Sequence, residues 1–129
     1  MRRVLVGIAG CWLAAFAWAG SSWFLVAETA AERVEVELSS LERQGDSVSF
    51  HQRRTPLGGQ TDPNTLRRLR EVLEKRVIDC HKRRIATRSR AVFDVDDALI
   101  DHQVVRGGAL PWQALAPDDA LARKLCGGL

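Results

Sequence analysis

The sequence predicts an α+β domain: an antiparallel β-sheet of five to six strands, a C-terminal helix packed on one face, and an additional helix near residues 63–77. Three observations carry this expectation. Residues 33–38 and 84–93 alternate with period two, as half-buried strands do. Residues 117–126 end the chain as a short amphipathic helix. A cysteine pair, Cys80 just before the second alternation and Cys126 at the end of that helix, is placed to tie the helix to the sheet.

At 129 residues the chain holds one domain, which we place at 20–129. Met1-Arg2-Arg3 is a positive start, Val4 to Ala19 an apolar run, and Ala17-Trp18-Ala19 before Gly20 an A-x-A cleavage signature. This is the layout of a secretory signal peptide over residues 1–19. The rival is an uncleaved anchor over residues 4–27, an apolar stretch of 24 residues interrupted by Ser21 and Ser22 and long enough to span a bilayer. Trp23-Phe24-Leu25-Val26 favours cleavage, because it makes sense as a first core strand. Cys11, in Ile8-Ala9-Gly10-Cys11, resembles a lipoprotein box, but the apolar run before it is too short and the residues after it stay apolar. Each reading exports the domain, to the periplasm or surface of a bacterium, or to the outside of an inner membrane that anchors it.

The elements follow in order. Residues 23–27 form a short strand. In 33–38, Val34, Val36 and Leu38 face one way and Arg33, Glu35 and Glu37 the other. Residues 42–46 turn, with Gly45 free to take positive φ. The return strand over 47–53 carries Val48 and Phe50 on one face, completing an antiparallel meander. A Pro- and Gly-containing loop then leads to Asp62-Pro63, a cap and first-position proline that open the expected helix. Leu66, Leu69, Val72, Leu73 and Val77 lie on its apolar stripe, and Val77-Ile78 is already compatible with extended chain. The strand over 84–93 turns at Asp94-Val95-Asp96-Asp97 into a partner over 98–105. The last helix starts at Pro117, with Asp118 and Asp119 in its first turn, Arg123 and Lys124 in its last, and Gly127-Gly128 as its stop.

Charge and cysteines set the compartment and limit the chemistry. Without Arg2 and Arg3 the chain carries 17 basic against 16 acidic groups, so it is globally near neutral. Without the leader, two cysteines remain, an even pair that suits an oxidising compartment. The alternative is two reduced, buried thiols. A disulfide closing this loop would contribute roughly 4 kcal/mol in the chain-entropy model, an upper-end figure.

The local imbalance is sharp. Residues 67–90 hold ten Lys or Arg against three acids. Arg68, Lys75, Arg76, Lys82, Arg83, Arg88 and Arg90 are therefore a candidate patch for an anionic envelope component: phospholipid head groups, lipopolysaccharide or a sulfated glycan. Its plain alternative is solvated helix and strand faces. Export removes the chain from nucleic acid. Asp94 to Asp97 lacks the glycine and terminal Glu of an EF-hand loop and reads as a hairpin turn. His51, His81 and His102 lack metal-ligand spacing. No strand–turn–helix motif presents a nucleophile, so no enzyme, metal or cofactor is expected. Trp112 is a core or hinge residue between hairpin and helix, with ligand contact as its second reading.

Cys80, Arg83, Arg84, Phe93, Asp94, Trp112, Pro117, Leu121, Leu125 and Cys126, with Trp23 and the segment 38–46 upstream, resemble the surface-adhesin protein E family. The shared pattern is a cysteine before a basic alternating strand and a turn, a Trp–Pro segment, and a helix ending in Leu-Cys. The resemblance implies a small exported sheet with a disulfide-held C-terminal helix, acting as a non-catalytic binding module. The family's namesake binds host matrix proteins and pairs as a dimer, so the implied partners are a protein and a second copy of the chain. Two features depart from the family: the absence of a lipoprotein anchor and the basic helix expected near 63–77. The different-class alternative is a periplasmic structural or accessory protein whose basic face over 67–90 touches anionic envelope components.

Overall fold

A computed structural model describes residues 22–127. The targeting segment, with Cys11 and the cleavage residues Ala17, Ala19 and Gly20, lies outside the described residues, as does Gly128. Within them the chain runs β1 (Trp23–Glu28), β2 (Glu32–Glu37), a 3-10 turn (Leu38–Ser40), β3 (Glu42–Gln44), β4 (Ser47–Pro56), β5 (Leu69–Asp79), β6 (Arg84–Asp94), β7 (Leu99–Val104), β8 (Gln113–Ala114) and α1 (Ala120–Leu125). All strand pairs are antiparallel, in the order β1-β2-β4-β5-β6-β7. The short β3 extends the β2 edge of β4, and β8 extends the β7 edge of β6.

The sheet is larger than expected: it has eight strands, not five to six. Two of the additions are β3 and β8, of three and two residues, too short to show a period. The third is β5, and it replaces the helix expected over 63–77. Asp62 does cap a turn, accepting from the amides of Thr65 at 2.8 Å and Asn64 at 3.2 Å. The turn goes no further, because Leu66 takes a left-handed φ of +59° and the backbone of Thr61 bridges to Arg68. From Leu69 onward the chain is extended. β5 is an interior strand, paired along both edges, and it buries residues on both sides: Val72, Glu74 and Ile78 on one, Val77 on the other. A strand apolar on both sides loses its alternation. A register break at Arg70 shifts the phase of its first residues again. Together these imitate a helical stripe.

Opposed residues on antiparallel neighbours project to the same side of the sheet. Val48, Ile78 and Ile85 are in register and form one row, and Phe50, Arg76 and Thr87 the next. The third row runs Phe24, Val36, Gln52, Glu74, Arg90, Gln103. The apolar part of these rows is the core: Val36, Val48, Phe50, Ile78 and Ile85, closed from above by Leu121 and Leu125 of α1.

That helix is shorter than expected, six residues beginning at Ala120 and not at Pro117. Pro117 and Asp118 belong to the preceding turn, and Asp119 is the cap, accepting from the Ala122 amide at 3.0 Å. Arg123 and Lys124 occupy the last turn. Six residues do not hold a helix in water. Here the end is fixed: Cys126 is bonded to Cys80, with Cα atoms 5.8 Å apart, and Arg43 donates to the Leu125 carbonyl at 2.7 Å.

Joint replacement Cys80→Ser and Cys126→Ser is predicted to lower stability in urea unfolding by up to roughly 4 kcal/mol, a large share of the ~5–15 kcal/mol of an ordinary domain. Reductant should reproduce the loss in the native chain and do nothing to the double variant.

The β6–β7 hairpin turns where expected. The carboxylate of Asp94, 1% exposed, accepts from the amides of Ala98 and Asp96 at 2.9 Å and from Arg67 at 2.9 Å. The Ala98 amide first, then the Asp96 amide and Arg67, hold its pKa below the ordinary 3.8 against the opposing effect of burial. The Thr65 amide lowers Asp62 and the Lys82 amide lowers Asp79 in the same way. A carboxyl with a depressed folded pKa stabilises fully above its unfolded value and ceases to as pH falls through the folded one. Thermal stability is therefore predicted to fall with acidification below about pH 4, and Asp94→Asn should lower the neutral-pH midpoint while flattening that acid slope. An unchanged acid slope in the variant would remove Asp94 from the account.

Candidate functional site

The seven residues of the expected basic patch do not form one surface. Adjacent residues on a strand point to opposite faces, so Arg76 and Arg90 lie on the helix-bearing face and Lys75 on the other. Lys82 and Arg83 sit in the tight turn between β5 and β6, where Asp79 accepts the Lys82 amide at 3.0 Å. Arg83 is occupied structurally, donating to the carbonyls of Ala116 and Pro117 at 3.5 and 3.4 Å. Arg68 is exposed in the loop before β5. Arg88 is exposed at a register break, the extra residue of β6 between the pairs Lys75–Ser89 and Arg76–Thr87. Trp112 is half-buried, and the Arg84 guanidinium stacks 4.2 Å above its ring. That contact fastens the segment before α1 to β6.

Two recesses result, one on each face. The face without the helix carries an open groove of about 620 Å³. Its floor is two neighbouring rows, His51–Lys75–Ser89–Val104 and Arg53–Leu73–Ala91–His102. Trp23 and Glu37 wall one end. Arg53 lies 4.4 Å over the Trp23 ring and pairs with Glu35 at 3.1 Å, which holds the indole across the groove mouth. Val104 is about half exposed on β7 at the opposite end. The groove thus has a mixed floor, apolar at Leu73, Ala91 and Val104, cationic at Lys75 with Arg88 beside it, and carrying two imidazoles.

On the helix-bearing face the apolar rows give way to a polar network beyond α1. Gln52 is 1% exposed and donates to Glu74 at 3.3 Å. Arg76 donates to Gln52 at 3.1 Å and to Thr87 at 3.1 Å. Arg54 spans Glu74 and Glu32, each at 3.2 Å. Burial, partly offset by Glu74, pulls the Arg76 pKa down. Neither recess was singled out from the sequence. The signal for the network is the run Val48, Phe50, Gln52, Arg54 in β4, in which an inward row turns from apolar to polar. Among the described residues no group of three or more His, Cys, Asp or Glu is arranged to hold a metal ion, and no helix is long and apolar enough to cross a membrane.

No protein-family model and no curated protein matches the sequence. Solved structures do match. Crystal structures of protein E from Haemophilus influenzae share the fold: one from a non-typeable strain has a TM-score of 0.55 at 15% identity, over 82% of this chain and 76% of that one. A second crystal form gives 0.56 at 15% identity, over 82% and 87%, and a selenomethionine form 0.55 at 14%, over 84% and 88%. At this identity the likeness is one of fold. It covers most of both chains.

Proposed function

We propose that the chain is an exported, non-catalytic binding module that takes a protein partner in the groove on the helix-free face. The observation that carries this reading is the division of the sheet. One face spends its apolar rows on α1, while the other leaves Trp23, Leu73, Ala91 and Val104 uncovered beside Lys75 and Arg88. Fixed aromatic and arginine groups beside exposed apolar side chains are what protein recognition uses most. The shared fold with protein E and the resemblance to the adhesin family support the same reading, and the disulfide suits an oxidising compartment outside the cytoplasm.

The second reading is an accessory role in the envelope through cationic residues, favoured by the exposure of Arg68, Lys75, Lys82 and Arg88. Salt separates the two. Attachment through exposed charge weakens steeply with ionic strength, whereas a groove that buries apolar surface keeps its partner.

The test is binding of the purified domain to a panel of immobilised extracellular-matrix proteins and to phosphatidylglycerol vesicles, at low and high salt. The groove reading predicts salt-tolerant binding to a protein, weakened about tenfold or more by Trp23→Ala or Val104→Ser and unchanged by Arg68→Ala. Binding to vesicles alone, abolished by salt, would replace it with the second reading.

A further inference from the structure

We propose that the polar half of the helix-bearing face is a binding site for a tetrahedral oxyanion, a phosphate or sulfate group. The site is centred on the other side of the sheet from the groove, and the two recesses adjoin at Glu74, Arg88, Ser89, Val104 and Val105. It draws on two members of the basic set, Arg88 and Arg90, but in a recess and not across a surface.

The recess has a volume of about 430 Å³ and is lined by Arg54, Thr87, Arg88, Arg90, Gln103 and a single carboxylate, Glu74. Its charges do not balance. Glu74 is already engaged, 3.2 Å from Arg54 and 3.3 Å from Gln52. Arg54 also reaches Glu32. Neither Arg88 nor Arg90 has a carboxylate within ion-pairing distance among the described residues. The Nε of Arg90 is buried and has no hydrogen-bond partner there. Just behind the lining, Arg76 adds a third guanidinium without a carboxylate of its own and gives its hydrogen bonds to Gln52 and Thr87.

Buried donors in folded proteins are almost always satisfied, and one that is not calls for a partner. The partner this lining fits is an anion. Guanidinium groups present flat forks of N–H donors that match oxyanions in pairs of parallel bonds. Thr87 and Gln103 supply neutral donors beside them. Several forks converging from different strands suit a group with three free oxygens on a tripod better than a planar carboxylate with two. The lining holds no aromatic ring, so nothing in it would stack a base. Its remaining side is Val104, Val105 and Pro111, a small apolar wall against which a sugar-sized carrier would lie.

The test is isothermal titration of the disulfide-closed protein with inorganic phosphate, inorganic sulfate and glucose 6-phosphate, all at constant ionic strength set with chloride, with the arginine Nε–Hε signals followed by NMR. The expected result is saturable one-site binding that moves the Arg90 Nε–Hε signal. Arg90→Gln should weaken it at least tenfold, and Lys75→Gln, on the opposite face, should leave it within twofold. Tighter binding of glucose 6-phosphate assigns the site to a carried oxyanion, and tighter binding of the inorganic ions to a free one. If Arg90→Gln fails to fold, the exposed Arg88→Gln decides, with a loss of several-fold expected. Absence of saturable binding for all three anions, or variants at 88 and 90 that bind as the native chain does, would mean that water fills the recess and would overturn the proposal. Loss of protein binding by the Trp23→Ala variant with phosphate binding retained would leave each site standing separately.

Discussion

A helix of six residues covers the apolar half of one face of this sheet, and the covalent bond from Cys126 to Cys80 holds it there. Leu121 and Leu125 complete the cluster of Val36, Val48, Phe50, Ile78 and Ile85. Leu41 and Leu115 pack against the same cluster. The supporting contacts act at the same place: Arg43 on the Leu125 carbonyl, Arg83 on the carbonyls that precede the helix, and Arg84 on Trp112. Arginines from β3, the β5–β6 turn and β6 thus converge on the C-terminal segment, which makes a short helix an integral layer of a single-sheet domain.

The position of the helix decides what remains open. It reaches the first rows of the sheet and stops. Beyond it the same face turns polar at Gln52, Glu74 and Arg76, where a close-knit side-chain network replaces packing. The register break at Arg88 lies between the two regimes and beside the recesses of both faces, as bulges beside functional surfaces often do. The opposite face, with no helix packed across its His51 and Arg53 rows among the described residues, keeps its groove. One sheet therefore offers two chemically distinct surfaces back to back, one apolar and mixed, the other rich in guanidinium.

Much of this was legible in the sequence where one face was wet. β2 and β6 alternate cleanly, Asp94 announces its turn, and the Cys80–Cys126 link follows from an even cysteine pair. β5 was not legible, because an interior strand buried on both sides has no alternation, and Asp62-Pro63 opens a turn with the same signals that open a helix. The basic set misled for a related reason. On a helix Lys75 and Arg76 would share a surface, but on a strand they part to opposite faces. The groove was hidden because Trp23, His51, Lys75 and His102 come together only through the register of β1, β4, β5 and β7, which no local pattern encodes. Arg90 looked like one more surface charge, and only its place opposite Glu74 in an inward row reveals that its Nε is buried.

The most direct test of the central claim is the intact mass of the folded protein after thiol alkylation, taken before and after reduction. The account predicts no alkylation of Cys80 or Cys126 in the unreduced protein and two added groups once it is reduced. Alkylation of both cysteines without reduction would contradict it, because α1 would then lack the bond that holds it over the core.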